Sequence, residues 1–383
     1  MNDEKRDTNL KILHVITGLN LGGAEMMLYK LIKASPNPAD HVVISFLGGI
    51  MAERIEKLGA KVHVLNLTKN PFSIRPLKLV RLIKSIAPNA VQCWMYHANL
   101  VGTIFARMAG IKNVAWGIRH SISKFDKPSI KLINRLLAAV SHCPFCRAVV
   151  CCGTNPLTAC KKTNYCECKL VEIPNGFDTS LFVFSEGNRK KIRDEFDVKN
   201  NEFLILHVGR YNWLKNYDAL LEIFKKLRDK NPNAKLMMVG GGVDNPQIND
   251  KIKKLAIEDS VIVTGARNDV HAIYSAADVG VLTSLSEGFP NVIGEAMLCE
   301  RPFVSTDVGD CAAIVADKDN VIELGDNERF ANRLLEISEM TKEERTEYGK
   351  RARAHIIENF EIEKIYEKYA DLWGKFHHNA KMV

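Results

Sequence analysis

Two carboxylates, Glu287 and Glu295, stand eight positions apart in the stretch Ser286-Glu287-Gly288-Phe289-Pro290-Asn291-Val292-Ile293-Gly294-Glu295-Ala296. Gly288 and Pro290 punctuate a loop, and the residues after them predict the first turns of a helix. A loop that breaks into a helix presents unpaired backbone N–H groups and the positive end of the helix dipole, so the stretch can bind an anion. A carboxylate only accepts hydrogen bonds, which suits hydroxyl groups. Together these features point to a ligand carrying both phosphates and hydroxyls, a sugar nucleotide foremost. A second group lies upstream in Gly209-Arg210-Tyr211-Asn212-Trp213-Leu214-Lys215-Asn216. There Arg210 and Lys215, two cations over backbone N–H groups between a strand and a helix, make a diphosphate clamp. His97 and His120 each follow a strand. The usual role of a lone histidine is a satisfied surface or core residue, but position past a strand end makes both candidates, His120 ahead of His97.

These residues need a scaffold that gathers strand ends. Lys11–Ile16 reads as a buried strand, followed by Thr17-Gly18-Leu19-Asn20-Leu21-Gly22-Gly23-Ala24-Glu25 and an amphipathic helix over Met26–Ala34. The glycines at Gly22 and Gly23 let a ligand approach the backbone closely, although the same turn could serve packing alone. The spacing does not match the dinucleotide fingerprint G-x-G-x-x-G. Strand-like runs recur at Val42–Leu47, Val62–Leu65, Ala90–Trp94, Val114–Ile118 and Ala148–Cys152, alternating with helical stretches such as Met51–Leu58 and Leu77–Ile86. The rhythm returns with a strand at Phe203–Val208, a helix over Tyr217–Asp229 and strands at Lys235–Val239, Val261–Thr264, Val279–Thr283, Pro302–Ser305 and Val321–Leu324. Such βα alternation predicts parallel sheets with helices on both faces and ligands beyond the carboxyl ends of the strands. The expected fold is α/β, two doubly wound Rossmann-like domains facing across a cleft. The polar run Ser185–Asn201 places the boundary between 183 and 184, giving domains 1–183 and 184–360.

The chain has 383 residues, 46% of them hydrophobic, enough for two cores. It contains no apolar run long enough to span a bilayer, and the polar segment Met1–Leu10 does not read as a signal peptide, so a cytoplasmic location is expected. Seven of the ten cysteines fall between Cys143 and Cys168. Cys143-Pro-Phe-Cys146 has half-site zinc spacing, and Cys166-Glu-Cys168 could be an irregular second half. The plainer reading is reduced cytosolic thiols, with Cys151 and Cys152 ending a buried strand and no metal. Asp317-Lys318-Asp319 resembles a metal-binding DxD but reads as a solvated loop. From Met1 to Asp178 there are 24 Lys and Arg against 11 Asp and Glu, and beyond it 29 against 34. The basic half should meet something anionic. Arg75, Lys78, Arg81 and Lys84 recur every three residues on one helix, and Lys131 and Arg135 punctuate another, which suits peripheral contact with an anionic membrane surface, the inner face of the cell membrane, as well as an ordinary solvated face. No nucleic-acid module is present, so nucleic acid is not an expected partner.

Gly22-Gly23-Ala24-Glu25, Gly209-Arg210 with Lys215, and Glu287-x7-Glu295, in that order, resemble the retaining glycosyltransferases of family 4, which have the GT-B fold. Asn175-Gly176-Phe177-Asp178 is similar to that family's interdomain turn, and Trp94-x-x-His97-Ala98-Asn99-Leu100 resembles bacterial members that extend lipid-linked oligosaccharides for surface polysaccharides. The resemblance implies that Arg210 and Lys215 hold the donor diphosphate and that Glu295 binds the ribose hydroxyls. Glu287 would contact the donor sugar, and backbone around Gly288, Phe289, Pro290, Asn291 and Val292 would bind sugar and phosphate. It implies further that Arg267 and Val270 belong to the base pocket, that Gly22 and Gly23 close on the phosphates, and that His120 approaches the donor sugar. The last segment, 361–383, would cross back to the first domain. The implied activity is retaining transfer of a hexose or N-acetylhexosamine from a UDP-sugar to a glycan acceptor, polyprenyl-diphosphate-linked, without a metal or other cofactor. A sugar-nucleotide epimerase of the same fold, or a non-catalytic sugar-nucleotide or polyanion binder, is the alternative.

Overall fold

The computed structural model describes residues 10–67, 76–122, 127–315 and 317–381, with side chains as far as Phe376. The chain divides into two compact units, Met1–Gly176 with Ile362–Val383, and Phe177–Glu361. The division falls inside the Asn175–Asp178 turn and not at 183/184. The polar run read as a linker is instead a helix of the second unit. Its N-terminus is capped by Ser185, whose hydroxyl accepts from Asn188 N–H, and two arginines on it, Arg189 and Arg193, pair with the buried Asp278. A charged stretch reads as linker when its partner carboxylate lies 85 residues away.

In the first unit the strands are β1 (Ile12–Ile16), β2 (His41–Ser45), β3 (Lys61–Val64), β4 (Ala90–Trp94), β5 (Val114–Ile118), β6 (Ala148–Cys151) and β7 (Leu170–Glu172). All pair in parallel, in the order β3-β2-β1-β4-β5-β6-β7. Helices α1 (Gly23–Lys33), α2 (Met51–Glu56), α3 (Pro76–Ile86), α4 (Met95–Met108), α5 (Pro128–Ser141) and α6 (Thr154–Lys162) make the crossovers. The segment after Trp94 that carries His97 and Asn99 is the first turn of α4: β4 passes directly into the helix through Met95, which takes φ 69°. Asn99 then faces the sheet, and its side chain both donates to the carbonyl and accepts from the N–H of Gly117.

The second unit repeats the winding. Its strands β8 (Phe203–Val208), β9 (Ala234–Val239), β10 (Val261–Gly265), β11 (Val279–Leu282), β12 (Phe303–Thr306) and β13 (Val321–Ile322) pair in parallel in the order β10-β9-β8-β11-β12-β13. Its helices are α7 (Glu186–Glu195), α8 (Tyr217–Lys230), α9 (Pro246–Lys254), α10 (Val270–Ala276), α11 (Asn291–Leu298), α12 (Cys311–Val315), α13 (Asn327–Glu339) and α14 (Lys342–Phe360). A capping box between Thr341 and Glu344 starts α14. Asp317-Lys318-Asp319 is a short turn with Lys318 and Asp319 exposed; Asp317, partly exposed, caps it, accepts from the Tyr348 hydroxyl and lies 3.7 Å from Arg333.

The final helix, α15 (Ile362–Lys381), belongs to the first unit. Along β1, Leu13 and Val15 enter one apolar cluster with α3, α4 and α5, while Ile12 and Ile16 enter another with α1 and with Ile365, Tyr369 and Trp373 of α15. Alternation of side chains along a strand therefore supplies two cores, one on each face. Under α15 sits a chain of rings: Trp94 Nε1 donates to His14 Nδ1 (3.2 Å), and His14 Nε2 lies 2.9 Å from His41 Nδ1. Since indole only donates, His14 Nδ1 accepts and its proton sits on Nε2, which donates a hydrogen bond to His41 Nδ1, so both imidazoles are neutral. Burial, and for His14 also its neighbour His41, lowers both pKa values, that of His41 to about 4. No helix among the described residues is long and apolar enough to cross a membrane.

Candidate active site

In each sheet the chain winds outward for three strands and then returns to the other side of the first, so β1/β4 and β8/β11 are switch points. Loops at the carboxyl ends of such strands diverge and leave a crevice. In the second unit Arg210, Lys215 and Glu287 lie on these loops, Glu295 on the helix that follows β11, and Arg267 and Val270 after β10.

The loop after β8 is shaped by close backbone contact. Gly240 takes φ 155°, and a Cβ there would lie 1.8 Å from the Gly209 carbonyl oxygen, so only glycine allows the two strand ends to meet. Hydrogen bonds from Gly209 N–H to Val239 O and from Tyr211 N–H to Gly241 O, both 2.8 Å, hold the approach. Tyr217 donates to Gly209 O at 2.7 Å from the start of α8. A single turn over Trp213–Lys215, capped by Asn212, and a left-handed Asn216 then bring Lys215 back across the strand ends. The loop after β11 is tied to it: Leu285 N–H donates to Leu214 O (2.7 Å) and Thr283 Oγ1 to Lys215 O (3.1 Å). From the other side Thr306 Oγ1 holds Ser284 O, and Gly309, at φ 59°, admits the Glu287 backbone where a Cβ would clash.

The result is an ion pair, Lys215 Nζ to Glu287 Oε1 at 2.6 Å, with Ser284 Oγ donating to the same oxygen at 2.6 Å. Lys215 is 23% and Glu287 15% exposed, so the pair is shielded yet reachable. An ammonium has three donors and spends one here, leaving two for a phosphate. Arg210 is exposed on the same loop and among the described residues has no carboxylate partner. Two groups beside the pair respond to it. His207, fully buried, has its pKa pushed down to about 3 by burial and by the Lys215 charge. The Cys311 thiol is pushed up to about 12 by burial and by the Glu287 carboxylate.

Helix α11 begins at Asn291, immediately after Pro290. Gly288, Asn291 and Val292 are partly exposed, whereas the Phe289 ring is buried against Phe177 and Phe360, so Phe289 can offer a ligand only its backbone. Glu295 lies four residues from Asn291 on the same helical face, and its Oε2 accepts from the Tyr274 hydroxyl at 3.1 Å. Tyr274 is fully buried, which fixes the direction of that carboxylate. Arg267 is placed differently from the expectation: it hydrogen-bonds Asp269 and Glu195 and stacks on Phe196, 5.5 Å from the ring centroid. These two carboxylates hold its charge, so it braces the β10–α10 loop against α7. Val270, the first residue of α10, is partly exposed beside it.

In the first unit Gly22 is the extended N-cap of α1 without a side-chain cap, and Gly23 is exposed, so the backbone alone supplies the donors there. His120 lies just past β5, partly exposed, its ring edge-on to Tyr96 at 5.3 Å, and the Tyr96 hydroxyl holds its carbonyl at 2.9 Å. His97 is exposed in the first turn of α4. Lys78, Arg81 and Lys84 are exposed on α3, and Arg75 lies outside the described residues. Cys166 and Cys168 bring their sulfurs to 3.0 Å, while Cys146, Cys151, Cys152 and Cys160 are buried. Among the described residues no three His, Cys, Asp or Glu side chains converge to hold a metal ion.

Tyr217, Tyr274, Thr283 and Ser284 were not found from sequence. Tyr274 and Thr283 act through partners 21 and 68 positions away, whereas Ser284 reaches Glu287 three residues on; the polar pair Thr283-Ser284, directly after a strand and before Glu287, offered the one signal.

Residues 188–355 match the family model described as Glycosyl transferases group 1. Among curated proteins, the chain is 26% identical over 380 residues to a UDP-Gal:alpha-D-GlcNAc-diphosphoundecaprenol alpha-1,3-galactosyltransferase of Escherichia coli, covering 96% of this chain and 97% of that one. It is 27% identical over 193 residues to the N-acetyl-alpha-D-glucosaminyl L-malate synthase of Bacillus anthracis, half of each chain. Among solved structures, HepE of Anabaena in complex with UDP superposes with a TM-score of 0.83 at 23% identity, over 94% of this chain and 99% of that one. The sucrose-phosphate synthase of Thermosynechococcus elongatus gives 0.76 at 18% identity, over 96% and 100%. These structures share the fold, two Rossmann-like parallel sheets of the GT-B type. The second unit, through residues 188–355, is thus similar to the glycosyl transferases group 1 family.

Proposed function

We propose that the protein is a retaining glycosyltransferase that moves a hexose or N-acetylhexosamine from a UDP-sugar to a glycan acceptor held on a polyprenyl diphosphate, at the inner face of the cell membrane, in surface polysaccharide synthesis. The observation that carries this reading is the Lys215–Glu287 pair at the β8/β11 switch point, beside exposed Arg210 and the start of α11. The full-length similarity to a galactosyltransferase named for a diphosphoundecaprenol acceptor supports the acceptor class.

The bond between the anomeric carbon and the β-phosphate oxygen breaks, and the acceptor hydroxyl oxygen takes its place on the same face of the sugar. The departing phosphate receives the acceptor proton. Negative charge grows on the diphosphate as it leaves, and Lys215 and Arg210 are preorganised cations against it. Glu287 accepts from hydroxyls of the donor sugar, Glu295 from the ribose, and the first-turn N–H groups of α11 meet phosphate. Val270 lines the base pocket, with Arg267 in reach of it only through its plane or by exchanging carboxylates. The donor is a substrate, and no metal or cofactor takes part.

The test is turnover of UDP-sugars with a lipid-linked acceptor, read as UDP release. Lys215→Ala and Arg210→Ala should each lower kcat about 100-fold or more while leaving the thermal transition nearly in place. Wild-type rates in both variants would overturn the assignment.

A further inference from the structure

Helices α3, α4 and α5 pack side by side over one face of the first sheet and send Leu79, Ile83, Phe105 and Leu137 into its core. Their outer rows are also apolar. Leu77 on α3, Ile104 and Met108 on α4, and Leu132 and Leu136 on α5 are between 46% and 69% exposed. On α4 and α5 the pairs are four residues apart, so each pair stacks on one helical face. Scattered apolar residues are ordinary on a surface, but five on three adjacent helices form a patch that marks an interaction.

The charges around the patch indicate its partner. None of the three helices contains Asp or Glu, and the 110 residues from 57 to 166 hold 17 Lys and Arg against one acidic residue, Asp126. Lys78, Arg81, Lys84 and Arg135 are exposed, and none has a carboxylate partner among the described residues. A second copy of the chain would set this basic face against its own like charge. An anionic bilayer presents phosphates above acyl chains, the two layers that cations flanking leucines require.

We propose that the outer face of α3, α4 and α5 docks on an anionic bilayer, with Ile104, Leu132 and Leu136 entering the acyl boundary and Lys78, Arg81, Lys84 and Arg135 meeting headgroup phosphates. The idea rests on the lipid-linked acceptor reading for its purpose, but not for its test. The full chain is sedimented with phosphatidylcholine vesicles with and without phosphatidylglycerol, at low and high salt. Binding should require phosphatidylglycerol and weaken with salt. The double variant Arg81→Glu/Lys84→Glu should bind at least about tenfold more weakly, since each cation near such a surface is worth roughly fivefold. Leu132→Glu/Leu136→Glu should lose what binding persists at high salt. All these positions are exposed, so the variants should fold and keep wild-type transfer to a soluble, tail-free acceptor. Unchanged sedimentation of both variants would overturn the proposal, as would a concentration-dependent dimer in sedimentation velocity that the same substitutions abolish. Vesicle binding without transfer to any acceptor would leave the face standing and sink the transferase reading.

Discussion

At the switch point of the second sheet, side chains tie loop to loop: Thr283 reaches the Lys215 carbonyl, Ser284 and Lys215 share one oxygen of Glu287, and Tyr274 aims Glu295. At the switch point of the first sheet the loop after β1 is tied by backbone bonds, Leu19 N–H to Gly48 O and Met51 N–H to Leu19 O, and Gly22 starts α1 with no side-chain cap of its own. Charge divides the same way. The first unit has 28 Lys and Arg against 13 Asp and Glu, the second 25 against 32. One winding thus supports two designs. The second unit fixes Lys215, Glu287 and Glu295 through side-chain hydrogen bonds. The first keeps a bare loop over a rigid aromatic core and spreads cations on its outer helices.

Acid should separate the two units most. His14 and His41 are held neutral in the first core and His207 in the second, so their folded pKa values lie below the ordinary 6.5. A depressed histidine contributes stability that is complete above 6.5 and is lost as pH falls toward the folded value, here about 4 for His41 and about 3 for His207. Each costs about 1.4 kcal/mol per pH unit over that window, so near pH 5 His41 and His207 each remove about 2 kcal/mol, and His14 adds a further loss in the first unit alone. Trp94, Trp116 and Trp373 are buried in the first unit, and Trp213 is exposed in the second. Tryptophan fluorescence should therefore report acid unfolding ahead of the loss of amide protection in β8, β9 and β11. Simultaneous loss in both units would break the distinction.

Gly240→Ala attacks the second unit alone. Its Cβ meets the Gly209 carbonyl with no flexible side chain to yield, and a cost of about 3 kcal/mol is expected. Hydrogen exchange should rise in β8–β10 while the tryptophan signal of the first unit is unchanged. Tyr274→Phe sharpens the comparison at the smallest scale. Loss of one hydrogen bond to a carboxylate costs about 1 to 2 kcal/mol and removes one of the contacts that aim Glu295. The KM for the UDP-sugar should rise by about tenfold with kcat nearly unchanged; equal effects on both would move Glu295 into the chemistry.

Much of the fold was legible because buried parallel strands are continuous apolar runs. β4, β5 and β8 have the ends that Ala90–Trp94, Val114–Ile118 and Phe203–Val208 announce. Where polarity within an element is answered from elsewhere, reading failed. Glu186–Glu195 is a helix because Arg189 and Arg193 find Asp278, and β7 is a strand of three residues because β6 lies beside it. The glycine loops, Lys215, Glu287 and Glu295 were visible because their chemistry depends on residue type and local backbone.

The sequence by itself determined the alternation of strand and helix, the two cores, the charge imbalance and which residues could meet phosphate and hydroxyls. Periodicity and side-chain chemistry are local, so they survive without coordinates. Only the tertiary structure decided that Lys215 bonds Glu287 across 72 positions and that Arg267 is taken by Asp269 and Glu195. Those outcomes depend on which strands become neighbours, and pairing between distant strands leaves no trace in the spacing of either one.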